Sequence, residues 1–166
     1  IWRRYDPIAQ SFTVGQTIQA PSGTVNPNDV NDDTSGAFLT AVDLFFAHKP
    51  EGDEAVRVEI RTLELGTPTL SIVGEPVTLT PEEVNVSRTG ETPTHVKFQY
   101  PIWLEPGQEY AVTLVAENTD QYEVWVAEMG EKTVNTKSLP NAEAVRYTKQ
   151  FALGSLFLSQ NGSIWT

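Results

Sequence analysis

The chain has 166 residues, no cysteine, and 22 acidic side chains against 11 basic ones, for a formal net charge of −11 at pH 7. Without thiols there is no disulfide framework and no thiolate metal site, so a hydrophobic core must carry the fold. The negative charge repels the phosphate backbone and anionic lipid, which argues against nucleic-acid and membrane-surface roles, and no apolar run approaches the ~20 residues of a membrane-spanning helix.

At this length a single domain over residues 1–166 is the natural organisation. Ile8 to Val14 reads as a short strand. Residues 15–36, rich in Gly, Pro, Asn and Asp, read as a long loop with little to bury. Ala37 to Lys49 is apolar on both phases of the alternation, which predicts a central strand covered on both faces. After the turn at Pro50-Glu51-Gly52-Asp53, Val56, Val58, Ile60 and Thr62 alternate with Arg57, Glu59 and Arg61, which predicts a strand with one dry and one wet face, ended by Gly66 and Pro68.

Val77 to Thr80 is a short strand running into Pro81-Glu82-Glu83, where Thr80 before Pro81 is an N-cap signature for one helical turn. Thr94 to Tyr100 reads as a strand with Val96, Phe98 and Tyr100 on one face and His95, Lys97 and Gln99 on the other. The stretch from Trp103 to Met129 has the clearest pattern. Pro106-Gly107 turns the chain, Tyr110, Val112, Leu114 and Ala116 alternate with Ala111, Thr113 and Val115, Asn118-Thr119-Asp120 makes a polar tip, and Tyr122, Val124 and Val126 return as the second arm of a β-hairpin.

Residues 131–148 read as a loop with a turn of helix near 142–144, and Phe151 to Ser159 as a last strand with a bulge or close-packing point at Gly154. About eight strands and no crossover helix predict an all-β fold, a two-sheet antiparallel β-sandwich of jelly-roll type. Val42, Leu44, Phe46, Val58, Ile60, Val112, Leu114, Val124 and Val126 are its expected core. Both ends read as cut from a longer multidomain chain, so Trp2 and Trp165 are expected to meet neighbouring domains or to fold back on their own sheet.

Chemistry is sparse along the chain. His48 and His95 have no acid or histidine at ligand spacing and read as surface residues. Asp43 and Glu59 fall on strands read as adjacent, where two carboxyls facing across a cleft would suit glycoside hydrolysis, although an acidic surface makes such pairs by chance. Asp29, Asp32 and Asp33 concentrate oxygen ligands in the 26–36 loop, which reads as a solvated turn-rich loop or as a structural calcium site without the EF-hand pattern. Trp125, with Glu123 on the same face, offers a surface on which a sugar ring could stack, against the commoner use of aromatics as core. No nucleophile-elbow, Walker, zinc or dinucleotide motif is present.

Four segments, D-P-I-A-Q-S-F (Asp6 to Phe12), G-A-F-L-T-A-V-D-L-F-F-A (Gly36 to Ala47), L-E-P-G-Q-E-Y-A-V-T-L (Leu104 to Leu114) and G-S-L-F-L-S-Q-N-G-S-I-W-T (Gly154 to Thr166), span nearly the whole chain. In order and spacing they resemble a β-sandwich module that recurs in tail and baseplate structural proteins of T-even-like contractile-tailed phages, the cyanophage type in particular. Val56 to Thr62 supplies the strand that usually follows the second segment. The resemblance implies a structural module of a phage tail fibre or baseplate with no catalytic residues to carry over, and the reading that follows is a non-enzymatic virion module whose expected partners are other tail or baseplate proteins and, as an additional contact, host-surface glycan. The 26–36 loop is longer than that family's pattern. The alternative is a carbohydrate-binding module of a larger enzyme or adhesin, since likeness of fold alone does not assign a ligand.

Overall fold

Branched and aromatic residues at period two produce ten strands among the described residues of the computed structural model, which are 7–14, 36–126, 154–159 and 162–166. They are β1 (Ile8–Thr13), β2 (Ala37–Leu44), β3 (Phe46–His48), β4 (Val56–Glu64), β5 (Thr67–Ile72), β6 (Val77–Leu79), β7 (Thr94–Leu104), β8 (Glu109–Val115), β9 (Glu123–Val124) and β10 (Leu156–Leu158). The larger sheet runs β10-β1-β8-β4-β5, with β6 also paired to β4, and the opposing layer consists of the pairs β2-β7 and β3-β9. Every one of these strand pairings is antiparallel. The chain is an all-β sandwich.

Its core lies between the layers. Ile60 and Tyr110 of the larger sheet, with Val14 just after β1, meet Phe98, Ile102 and Leu104 in one cluster, and Val56, Val58 and Leu79 meet Phe46, Val96 and Val84 in the other. Of the expected core, Phe46, Val58 and Ile60 are fully buried. Val42, Leu44, Val112, Leu114 and Val124 pack half-buried against these clusters, but Val126 is 55% exposed. β9 stops at Val124, so Val126 lies beyond the ladder that would have turned it inward.

The expected hairpin does not form. β8 pairs with β1 and β4, whereas β9 pairs with β3 in the other layer, so residues 116–122 cross the sandwich. The turn at Pro106-Gly107 is likewise a crossover, from β7 to β8, and Tyr110 braces it: its hydroxyl accepts from Glu105 N–H at 3.0 Å, while Gly107 N–H donates to Val14 O at 2.9 Å. Alternation tells which face a residue takes but not which strand becomes its neighbour.

The 37–49 segment is broken at Phe45 into β2 and β3, and it is not covered on both faces, because Ala37, Phe38, Thr40 and Asp43 are exposed. Its two apolar phases have another cause. The β2-β7 register shifts between Leu39 and Ala41, so the inward phase passes from Leu39 to Val42 and Leu44. The same irregularity takes up extra residues on β7 ahead of Pro101 and turns Tyr100 outward, away from its expected place beside Val96 and Phe98.

A true two-residue hairpin occurs where the sequence reading ended a strand. Leu65 and Gly66 both have positive φ, 51° and 76°, and Glu64 pairs with Thr67, the geometry of a type I′ turn leading into β5. One helical turn does form at Pro81–Glu83. Hydrogen bonds from the Thr80 backbone N–H and then its hydroxyl hold the Glu83 carboxyl below its usual range. The loops expected at 15–35 and 131–148, the turn of helix expected near 142–144, residues 151–153 of the expected last strand, and Trp2 lie outside the described residues.

Phe46→Ala should lower the unfolding free energy in urea by about 3–5 kcal/mol, and Leu114→Ala by about 2 kcal/mol because Leu114 keeps part of its surface in water. The opposite ranking would place the tighter half of the core elsewhere. Leu65→Asn should raise stability by about 0.5–1 kcal/mol, since Asn tolerates the left-handed conformation that Leu65 occupies. A lower melting temperature for that variant would speak against the type I′ turn.

Candidate functional site

The outer face of β4 carries Arg57, Glu59 and Arg61, which a two-residue period puts on one side of the strand. This face is not wet. Glu59 is completely buried and Arg61 nearly so. The Glu59 carboxylate accepts from Arg57 Nε at 2.5 Å and from Arg61 Nε at 2.7 Å. Arg57 also reaches Glu117 at 2.9 Å, and Arg61 donates to the carbonyls of Gly162 at 2.9 Å and Thr69 at 3.4 Å. Burial by itself lowers the Arg57 pKa, but the hydrogen bonds to Glu59 and Glu117 and their charges outweigh it and hold the guanidinium above its ordinary value.

The end of the chain closes over this triad. Trp165 lies buried against Ala9 and Ala111 with the Arg61 guanidinium 5.9 Å from its ring centre. Thr166 exchanges two backbone hydrogen bonds with Leu158, and the Ser159 hydroxyl donates to Ile164 O and accepts from Gly162 N–H. Trp165 therefore folds back on its own sheet, the second of the two outcomes considered for it.

The residues singled out for chemistry are not brought together. β2 and β4 belong to different layers, and Asp43 and Glu59 point away from each other across the sandwich, so they cannot face across a cleft. Asp43 instead accepts from His95 Nδ1 at 2.7 Å across the β2-β7 pair, which gives His95 the acidic partner that its sequence neighbours do not reveal. Both groups are exposed, so solvent limits that pair to less than about 1 kcal/mol. His48 Nδ1 donates to the Gln121 carbonyl at 3.0 Å.

Trp125 is half-buried. Its Nε1 donates to Ser87 O at 2.7 Å, and its ring lies over Gly90, where an added Cβ would approach the indole to 3.3 Å. Those contacts tie Trp125 to the 87–90 turn, with Glu123 exposed on β9 opposite His48. Asp29, Asp32 and Asp33 lie outside the described residues, and among the described residues no group of three or more metal-ligating side chains gathers.

A different aromatic group is open to solvent. Phe38 and Trp103 are cross-strand partners on the outer face of β2-β7, 65% and 43% exposed, with ring centres 4.9 Å apart and planes inclined at 58°. Trp103 is held in place: Nε1 donates to Glu105 Oε1 at 3.0 Å, and its ring lies so close to Gly36 that a Cβ there would overlap it. Tyr100, 65% exposed, accepts from Gln99 Nε2 at 3.4 Å. On the same strand pair stand His95, Lys97, Gln99 and Asp43, all exposed.

Two of these features were missed at the level of sequence, for different reasons. The R-x-E-x-R spacing at Arg57, Glu59 and Arg61 is itself a signal of a same-face ion triad on a strand; what it leaves out is the burial. The Phe38–Trp103 pair depends on the β2-β7 register shift, for which the sequence carries no mark. No family model, curated protein or solved structure matches this chain.

Glu59→Gln preserves shape but leaves two guanidiniums facing a neutral partner, and it should cost about 3 kcal/mol in chemical denaturation. Glu117→Gln, at a partly exposed carboxylate, should cost less than about 1 kcal/mol. Equal losses at the two positions would contradict the assignment of Glu59 as the centre of the network.

Proposed function

We propose that the chain is a non-enzymatic structural module of a phage tail fibre or baseplate protein, one that positions neighbouring virion parts. The observation that carries the reading is where the segments resembling such modules fall in the fold. Segments 6–12, 104–114 and 154–166 contribute β1, β8 and β10, three adjacent strands of the larger sheet, together with the 162–166 closure over it. Segment 36–47 contributes β2 and β3 of the opposing layer, so the resemblance covers strands of both layers rather than scattered turns. Of the two carboxyls that the sequence offers as a catalytic pair, Glu59 is buried between two guanidiniums and Asp43 is exposed beside His95 on the opposite side of the sandwich, so the two cannot act on one substrate.

A carbohydrate-binding module is a second reading, and the exposed Phe38–Trp103 pair favours it. The two are compatible where a tail module also touches host glycan. For the leading reading, antiserum raised against the chain should decorate, in immunogold electron microscopy, the tails of contractile-tailed particles whose DNA encodes it. Antigen confined to the soluble cell fraction, with bare particles, would remove the virion assignment.

A further inference from the structure

We propose that the outer face of the β2-β7 pair is a binding site for an uncharged glycan, held by stacking on Trp103 and Phe38 with Tyr100 flanking them. The inference rests on the reading of a non-catalytic contact module and gives that module a ligand class and an address. The address differs from the Trp125 and Glu123 surface that the sequence alone suggests, because the Trp125 indole N–H and ring are already used against Ser87 and Gly90.

The first argument is pre-organisation. An aromatic ring that must be ordered on binding costs affinity, whereas Trp103 is already held by Glu105 at one end and by Gly36 beneath it. Phe38 is inclined to it at 58°, so the two rings form a bent platform rather than a flat one. Tyr100 lies three residues before Trp103, at most about 10 Å along the chain, within the reach of one short oligosaccharide.

The second argument concerns what surrounds the rings. His95, Lys97, Gln99 and Asp43 are exposed on the same strand pair, offering amide, ammonium, imidazole and carboxylate groups. A protein surface laid over this mixture would have to match each of those groups or leave it desolvated, at a cost of about 1–3 kcal/mol each. A pyranose brings an apolar C–H face for the rings and hydroxyls that both donate and accept around its edge. It meets rings and polar groups together.

The third argument is charge. Lys97 stands on the same strand pair as Asp43, and Glu105 follows directly after β7 beside Trp103, so the site has no cationic surplus, and the whole chain carries −11. Phosphorylated or uronic-acid polymers are repelled, and a neutral ligand is left.

The test uses the full 166-residue chain in affinity gel electrophoresis with soluble galactomannan, hydroxyethyl cellulose and dextran, and with polygalacturonate as the anionic comparison. Retardation is expected with at least one neutral polymer and not with polygalacturonate. Trp103→Ala and Phe38→Ser should each weaken the retardation about tenfold, the scale of one lost aromatic contact. Trp103→Phe, which keeps a ring, should lose less, and Trp125→Phe should leave binding unchanged.

Absence of retardation by all three neutral polymers would overturn the site while leaving the structural-module reading intact. Binding that survives both Trp103→Ala and Phe38→Ser, or that is lost with Trp125→Phe alone, would move the site elsewhere. Self-association in sedimentation that Phe38→Ser abolishes would make a second copy the occupant instead. Release of new reducing ends from a bound polymer would overturn the non-enzymatic reading, separately from the location of the site.

Discussion

The fold depends on one strand that is buried on both faces. β4 contributes Val56, Val58 and Ile60 to the core between the layers, and on its other side it carries Glu59 and Arg61 under cover with Arg57 half-buried beside them. Removing an isolated carboxylate from water costs several kcal/mol, so Glu59 requires both neighbouring guanidiniums. Two cations on one anion leave a charge over. Glu117 answers Arg57, and the carbonyls of Thr69 and Gly162 answer Arg61, so the triad draws together β4, the end of β8, the β5 edge and the end of the chain.

That network orders elements that are distant in sequence. Gly162 lies 101 residues from Arg61, and the strand that brings it there, β10, contributes just three residues of ladder on β1. So short an edge strand holds little by itself. Trp165 over Ala9 and Ala111, the Ser159 hydroxyl bridging Ile164 and Gly162, and the paired Leu158–Thr166 backbone bonds make the closure a unit with its own small core.

Strand existence and facing were legible in the sequence because they follow from local alternation, as at β1, β4, β6 and β8. Partner choice was not. The 103–129 stretch has every local mark of a hairpin, but the polar residues at 118–120 are equally suited to crossing between layers, and nothing within the stretch records that β3 offers β9 its edge. β5 was hidden for a related reason: Gly66 and Pro68 are breakers in isolation, but Gly66 supplies a positive φ and Pro68 sits at the hairpin's edge strand, where a missing N–H is tolerated. The candidate site had the same fate. Its rings come from β2 and β7 and meet only after a register shift that no residue type announces.

The two outer faces of the sandwich divide the work between them. The larger sheet's outer side is taken up, with Glu59, Thr113, Ala9 and Val115 all buried and Trp165 laid over part of it. Among the described residues no segment is laid over the β2-β7 side, and there the rings of Phe38 and Trp103 keep much of their surface in water at a standing cost, since burying an aromatic side chain is worth about 1.5–3 kcal/mol. A chain under selection for stability alone has an easy remedy in a polar residue at either position. Instead Gly36 leaves room for the Trp103 ring and Glu105 fixes its indole, so local structure holds the exposed ring in one orientation. Order with exposure is what a surface built to meet something else would require, and among the described residues the rings of Phe38 and Trp103 stand on this face and not on the one that the chain's own end has closed.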